Sequence, residues 1–383
     1  MSESSARWLQ PPPLDEEHRY AGQSATALMT GPPLSAEKLA TAEQEVAALQ
    51  ARFLPDVQSW LRDAIPRSEQ GLSRLLRYHL GWEDADGVAS PSSGGKALRP
   101  VLCLTACELA GGDWHRALPA AAALELVHNF SLIHDDILDG DVLRRGRQTV
   151  WSIWGVPAAL SAGNAMRVIA DRTLARLEDV GVPGVSVAKA SAELTRGYLE
   201  MLEGQHLDVA LELRSDVTVA EYLDMIGRKT GALFATAMYL GALVATDDAE
   251  TAHAFGACGR LMGMAFQVRD DYLGVWGDPD AMLKPAADIK RKKKSLPIVY
   301  MLEHTSDDDR VWLDEAYADD QISGPNVDRI LDLLERLNAP EYVQRTARAI
   351  ASAAVASAAG LCLTHEEHRV LQQIARYFVT REK

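Results

Sequence analysis

The segment His128-Asn-Phe-Ser-Leu-Ile-His-Asp135-Asp-Ile-Leu-Asp139 ends in three carboxylates at offsets 0, 1 and 4. An Ala/Leu-rich run from Ala117 to Phe130 precedes them and reads as helix. At about 100° per residue, a helix returns to nearly the same face every four positions. Asp135 and Asp139 therefore project side by side. Two like charges so placed destabilise an isolated helix, so a cation belongs between them. A solvated helix end would explain acidic residues, but they favour the opposite end of the helix dipole. Hard oxygen ligands with room for water and phosphates suit Mg²⁺. A second acidic pair, Asp270-Asp271, follows another apolar run and strengthens that reading.

Outward from this segment the pattern stays helical. Leu39, Ala42, Val46, Leu49 and Phe53 recur at spacings of three and four after a Ser35 cap. Further helices are expected over Val57–Ile65, Glu69–Leu80, Leu98–Leu109, Ala117–Asp136, Ala158–Leu177, Ser186–Arg214, Val219–Val244, Asp248–Tyr272 and Ser295–Leu302. No sustained period-2 pattern, fixed repeat or long linker interrupts them. The expected fold is all-α: a single-domain antiparallel helical bundle spanning 35–383, preceded by a proline-rich arm over 1–34. The most apolar window, Gly231 to Ala245, is shorter than a bilayer span and reads as a buried core helix.

The 383 residues carry a net charge of −15. That argues against nucleic-acid binding. The four cysteines form no CxxC pair, which argues against zinc; buried thiols fit a reducing, cytoplasmic setting. No signal peptide is visible at the N-terminus.

In so acidic a chain, clustered cations are informative. Lys96 and Arg99 stand at a glycine-led helix start, a ready phosphate site. Arg144 and Arg145 lie just past the first acidic cluster; adjacent residues point different ways and can serve two anions. Lys229-Thr230-Gly231 interrupts an otherwise apolar helix. Gln205 and Asp208 share one face of another. The run from Lys284 through Asp288 to Lys294 follows the second acidic pair and reads as a lid over metal-bound phosphates. Together these describe one cavity with two acidic clusters, two sets of phosphate-binding cations and apolar walls.

Seven motifs carry a resemblance: GGKALRP at 94–100, ELVHNFSLIHDDILD at 125–139, RRGRQT at 144–149, GQHLD at 204–208, KTGALF at 229–234, FQVRDDYLG at 266–274 and DIKRKKKSLP at 288–297. In order and content they resemble the trans-isoprenyl diphosphate synthases, the polyprenyl synthetases. The resemblance implies Mg²⁺-dependent, head-to-tail (1'-4) joining of isopentenyl diphosphate to an allylic diphosphate (dimethylallyl, geranyl or farnesyl). It implies three Mg²⁺ ions and a homodimer. Asp135, Asp139 and Asp270 resemble metal ligands, with Asp136 and Asp271 beside them and Asp208 completing the cluster. Arg144, Gln205, Lys229, Lys284 and Lys293, with Thr230 next to Lys229, resemble the allylic diphosphate site. Gly95, Lys96, Arg99, His128 and Arg145 resemble the isopentenyl diphosphate site. Phe266 and Gln267 resemble the wall near the joining carbons. Phe130 and Ser131, five and four positions before Asp135, set the expected chain-length limit. In the family this combination looks like a geranylgeranyl (C20) synthase.

Several positions depart from the family pattern. Gly274 stands where many members have Asp, Leu283 replaces a glycine, and the Lys284–Asp288 segment is one residue short. Asn164 and Gln148 replace an Asp and a Pro. A class I terpene cyclase would not need Lys96, Arg99, His128 and Arg145. A non-catalytic partner subunit would not need Asp135, Asp139 and Asp270.

Overall fold

The structure is a computed structural model, and it describes residues 36–66, 71–90, 95–277, 287–318 and 322–382. The proline-rich arm over 1–34, Leu283 and Lys284 lie outside the described residues. The rest is overwhelmingly helical. In chain order the helices are α1 (Ala36–Ala64), α2 (Leu72–His79), α3 (Leu98–Leu109) and α4 (Leu118–Leu138). Next come α5 (Val150–Trp154), α6 (Val156–Ala175), α7 (Gly184–Glu212) and α8 (Val219–Ile226). They continue with α9 (Ala232–Thr246), α10 (Ala249–Trp276), α11 (Ala287–Lys290) and α12 (Leu296–His304). The last four are α13 (Asp307–Ala318), α14 (Gly324–Arg336), α15 (Ala339–Ser357) and α16 (His365–Thr380). A two-stranded hairpin, β1 (Leu143–Arg144) and β2 (Arg147–Gln148), follows α4.

Helices that are apolar all round belong inside a bundle. That is where α9 lies: Ala232 through Val244 are all buried. It packs between α3 and α10, while α4 lies against α6. The expected core helix over Gly231 to Ala245 is thus in place, and no described helix is long and apolar enough to cross a membrane. Glycines set the close approach. A Cβ on Gly241 would overlap the Cys103 carbonyl oxygen of α3, and one on Gly259 would crowd the Phe234 carbonyl across the α9–α10 contact. Cys103, Cys107 and Cys258 are buried free thiols; Cys362 is exposed.

Two boundaries differ from expectation. The helix begun near Ser35 does not stop before Val57 but runs through Pro55 to Ala64. Pro55 and Ala51 both face solvent, so water can serve the carbonyl that the missing N–H leaves open. The helix expected over Val219–Val244 is broken by a π turn at Gly227–Gly231. Such turns insert a residue into the helical ladder and re-aim side chains. The hairpin was not expected. Its turn residues Arg145 and Gly146 both have positive φ, 52° and 74°. That is the backbone of a type I′ turn, whose sequence signal normally needs Asn or Gly at the first position.

The α3–α9 contact gives a test. Gly241→Val should lower stability by about 3 kcal/mol, because neither backbone can retreat from a packed core. Urea unfolding measures this, and an unmoved midpoint would mean the helices have slack.

Candidate active site

A cavity of roughly 660 Å³ opens among α3, α4, α7, the π turn and α10. One face of α4 supplies Glu125, His128, Leu132 and Asp135, at spacings of three and four. Gly95, Lys96 and Arg99 come from the start of α3, Gln205 from α7, Lys229 and Thr230 from the π turn, and Phe266, Gln267 and Asp270 from α10.

At one end carboxylates and lysines interleave. Gly204 has no room for a Cβ against the π-turn backbone, so α7 lies close enough for Lys229 to pair with Asp208. Burial alone would lower the Lys229 pKa, but Asp208 and Asp135 outweigh it and the net shift is upward. Asp135 is pushed up to about 6, first by burial and then by Asp139 and Asp208, against the pull of Lys229. Lys293 lies 3.8 Å from Asp139. Asp270, on α10, accepts from Arg381. Among the described residues no three acidic, His or Cys groups converge tightly enough to cage a metal alone. Hard carboxylate oxygens are the donors Mg²⁺ takes, and it completes its shell with water and phosphate oxygens. Asp135, Asp139, Asp208 and Asp270 are the candidate holders.

The structure turns two other carboxylates away from the cavity. Asp136 is buried and bound by Arg144 Nε at 2.5 Å. Asp271 accepts from Tyr222 Oη at 2.6 Å, Gln267 Nε2 at 3.0 Å and the Leu296 N–H at 2.8 Å. These donors link α8, α10 and α12, so Asp271 ties the wall together. Burial pushes its pKa up to about 7 despite the donors. Thr230 Oγ1 reaches the same network through Gln267, at 2.8 Å.

The other end is an arginine–histidine pocket. Arg99 stacks over the Phe234 ring at 4.9 Å. Burial lowers its pKa to about 10, which still leaves it charged at neutral pH. Gly95 leaves room there for the Arg145 guanidinium, which a Cβ at residue 95 would displace. His128 is held well below its usual pKa, first by burial and then by Arg99 and Arg145. A neutral imidazole can still donate one hydrogen bond to an anion. The type I′ turn sends the adjacent arginines apart: Arg145 lines the cavity, whereas Arg144 pairs with Asp136 outside it.

The cavity also has an apolar wall. Phe130 is 2% exposed and lines the cavity with Ser131. Its ring meets His134 edge-on at 4.7 Å and Tyr198 at 5.4 Å. His134 in turn fills the space beside Gly163, next to the unusual Asn164. Gln148 lies in β2, where its backbone carbonyl accepts from Tyr78 Oη at 2.7 Å.

The glycine at 274 has a local account. A Cβ there would overlap the Asp288 carboxylate, which comes from α11 and occupies that space. Asp288 feels Asp270 and Asp208, so it belongs to the same acidic cluster. Sequence reasoning gave no role to Asp288, Glu125 or Arg381. Glu125 was within reach of that reasoning, being one turn from His128 on the same face. Arg381 was not: it lies 111 residues from Asp270 in the chain, and only the docking of α16 brings it in.

The family model described as polyprenyl synthetase matches residues 88–334. The chain belongs to that family. This polyprenyl synthetase is 37% identical over 327 residues to the (2E,6E)-farnesyl diphosphate synthase of Mycobacterium tuberculosis, covering 84% of this chain and 89% of the relative. It is 39% identical over 311 residues to that organism's geranylgeranyl diphosphate synthase, covering 81% and 88%. Its fold matches the crystal structure of the polyprenyl synthetase from Streptomyces coelicolor A3(2) with a TM-score of 0.80 and 34% identity, over 88% of this chain and all of the other. The protein is a prenyltransferase, a trans-prenyl diphosphate synthase of a Mg²⁺-dependent family.

Two predictions follow from the charges. A carboxyl with a higher pKa in the fold than its ordinary 3.8 favours folding below that value, and the contribution is lost as pH rises through about 6. Asp135→Asn should therefore raise metal-free stability at pH 8 by about 1 to 2 kcal/mol, and not at pH 4. Calorimetry at the two pH values checks this; equal shifts would refute it. Gly274→Asp should displace Asp288 and cut turnover at least about ten-fold, since a like charge is forced into filled space. Gly274→Asp/Asp288→Gly should recover part of the loss; no recovery would show that the two positions do not share one space.

Proposed function

We propose that this synthase joins isopentenyl diphosphate head to tail to an allylic diphosphate (dimethylallyl, geranyl or farnesyl) and makes a short all-trans prenyl diphosphate, geranylgeranyl diphosphate (C20). One observation carries the reading. A single cavity brings together Asp135 and Asp270 with Lys229, a second set of cations in Lys96, Arg99 and Arg145 beside His128, and an apolar wall that includes Phe130 and Phe266. That arrangement suits two diphosphates held apart with their hydrocarbon parts in contact.

Asp135, Asp139, Asp208 and Asp270 would hold Mg²⁺, three ions in the full cluster. When bound, the metal supplies charge neutralisation for a departing diphosphate. Lys229, Gln205 and Lys293 orient the allylic diphosphate; Lys229 carries a fixed positive charge beside the breaking C–O bond. Gly95, Lys96, Arg99, His128 and Arg145 hold the acceptor. The acceptor double bond attacks the allylic carbon, and the proton then lost goes to the released diphosphate. Phe266 and the apolar wall keep water from the cation. No side-chain nucleophile is required.

Chain length rests on Phe130 and Ser131. Phe130 is braced by His134 and Tyr198, so it resists displacement by a growing chain. The M. tuberculosis relatives divide between farnesyl and geranylgeranyl synthases, so the floor of this cavity decides. A homodimer is part of the reading: Leu160 and Val168 on α6 and Leu199 and Leu202 on α7 are exposed apolar side chains. A cytoplasmic setting fits the free buried thiols.

Incubation with Mg²⁺, isopentenyl diphosphate and each allylic primer in turn, with product sizing, tests the reading. C20 product is expected; no elongation with any primer would overturn it. Phe130→Ala should lengthen the product beyond that of the parent enzyme. An unchanged distribution would place the floor elsewhere.

A further inference from the structure

Glu125 is 6% exposed and lies at the arginine end of the cavity. Its Oε1 accepts from Asn129 Nδ2 at 2.9 Å, and the same Nδ2 donates to the Glu125 carbonyl at 2.8 Å. Its Oε2 is buried and accepts no hydrogen bond. Burial pushes the Glu125 pKa up, and the Asn129 hydrogen bond and the charges of Arg99 and Arg145 pull it back toward the ionised form, yet neither arginine meets that oxygen. Arg99 Nε is likewise buried without an acceptor.

A buried acceptor left without a donor is costly to the fold. A negative charge also works against binding an anion. Had Glu125 served only to fix the arginines, its free oxygen would accept from one of them. What it supplies to the pocket is charge, set at a distance from the guanidiniums and offset against them.

The reaction read above, on which this inference rests, gives that charge a use. Each round forms a bond between C4 of the acceptor and C1 of the allylic chain, and breaks the allylic C1–O bond. The inorganic diphosphate leaves from the carboxylate–lysine end and takes the proton. The lengthened chain keeps the acceptor's diphosphate, which still sits at the arginine end. Another round requires it to cross to the other end. We propose that Glu125 weakens the hold of Arg99 and Arg145 on that diphosphate enough for the chain to move and be extended again. Glu125 is a positioning residue in this sense: it acts through the two arginines and sets the number of rounds per chain.

Glu125→Gln keeps the size of the side chain and the acceptor for Asn129, and removes the charge. The KM for isopentenyl diphosphate should fall about ten-fold, as expected for loss of one nearby like charge in a partly desolvated site. Turnover in multi-round synthesis should fall with it, and products should shift to shorter chains. Glu125→Asp should keep the parental KM and distribution. The thermal midpoint reports any purely structural effect. A folded Glu125→Gln with an unchanged or raised KM overturns the inference. If that variant does not fold, Glu125→Met, which also removes the charge and leaves Asn129 its bond to the backbone carbonyl of residue 125, must lower the KM; no fall overturns it equally. Failure of the parent enzyme to elongate any primer would instead sink the functional reading.

Discussion

The Lys229–Asp208 pair is the contact on which the site depends. Burial first, and then the charges of Asp139 and Asp208, push the Asp135 carboxyl up. Without a fixed cation among them, part of the cluster would protonate before any metal arrived. The π turn provides that cation. It breaks the α8–α9 helix where it crosses α7, and Gly204 gives way to it. Arg260 supports the turn from α10: its Nη1 donates to the Gly227 carbonyl at 3.0 Å and reaches Glu200 on α7. Three helices are thus locked around one lysine.

The two ends of the cavity solve opposite electrostatic problems. One crowds carboxylates and must attract cations. The other crowds guanidiniums around a neutral histidine and must accept an anion. Along α4, Glu125 and Asp139 are 14 residues apart, just under four turns. The helix therefore acts as a ruler between the two charge regions, and its Ala-rich first turns, buried against its neighbours, anchor it.

Much of this was legible in the sequence because it follows local rules. The 3.6-residue period gave the helices, and the i, i+4 spacing gave Asp135 and Asp139 a common face. Lys229 was noticed because a charge inside an apolar run needs a partner, and Asp208 is that partner. What was not legible depends on tertiary contact. Asp136 and Asp271 resemble their neighbours in composition, but the facing elements supply Arg144 to one and three donors to the other. Gly274, where many family members carry Asp, is accounted for only by the tertiary contact that puts the Asp288 carboxylate in that space. The π turn leaves no mark on a hydrophobic pattern, and the hairpin was hidden because arginine stands where its turn favours Asn or Gly.

That arginine has a consequence of its own. Arg145 holds a left-handed backbone that suits glycine and costs a residue with a Cβ about 1 kcal/mol or more. The same backbone is what aims its guanidinium into the cavity and Arg144 away from it. Conformational comfort and charge placement are in direct opposition at this one position. Replacements that relax the turn would lose the aim of that guanidinium, so local stability and charge placement trade against each other at this position.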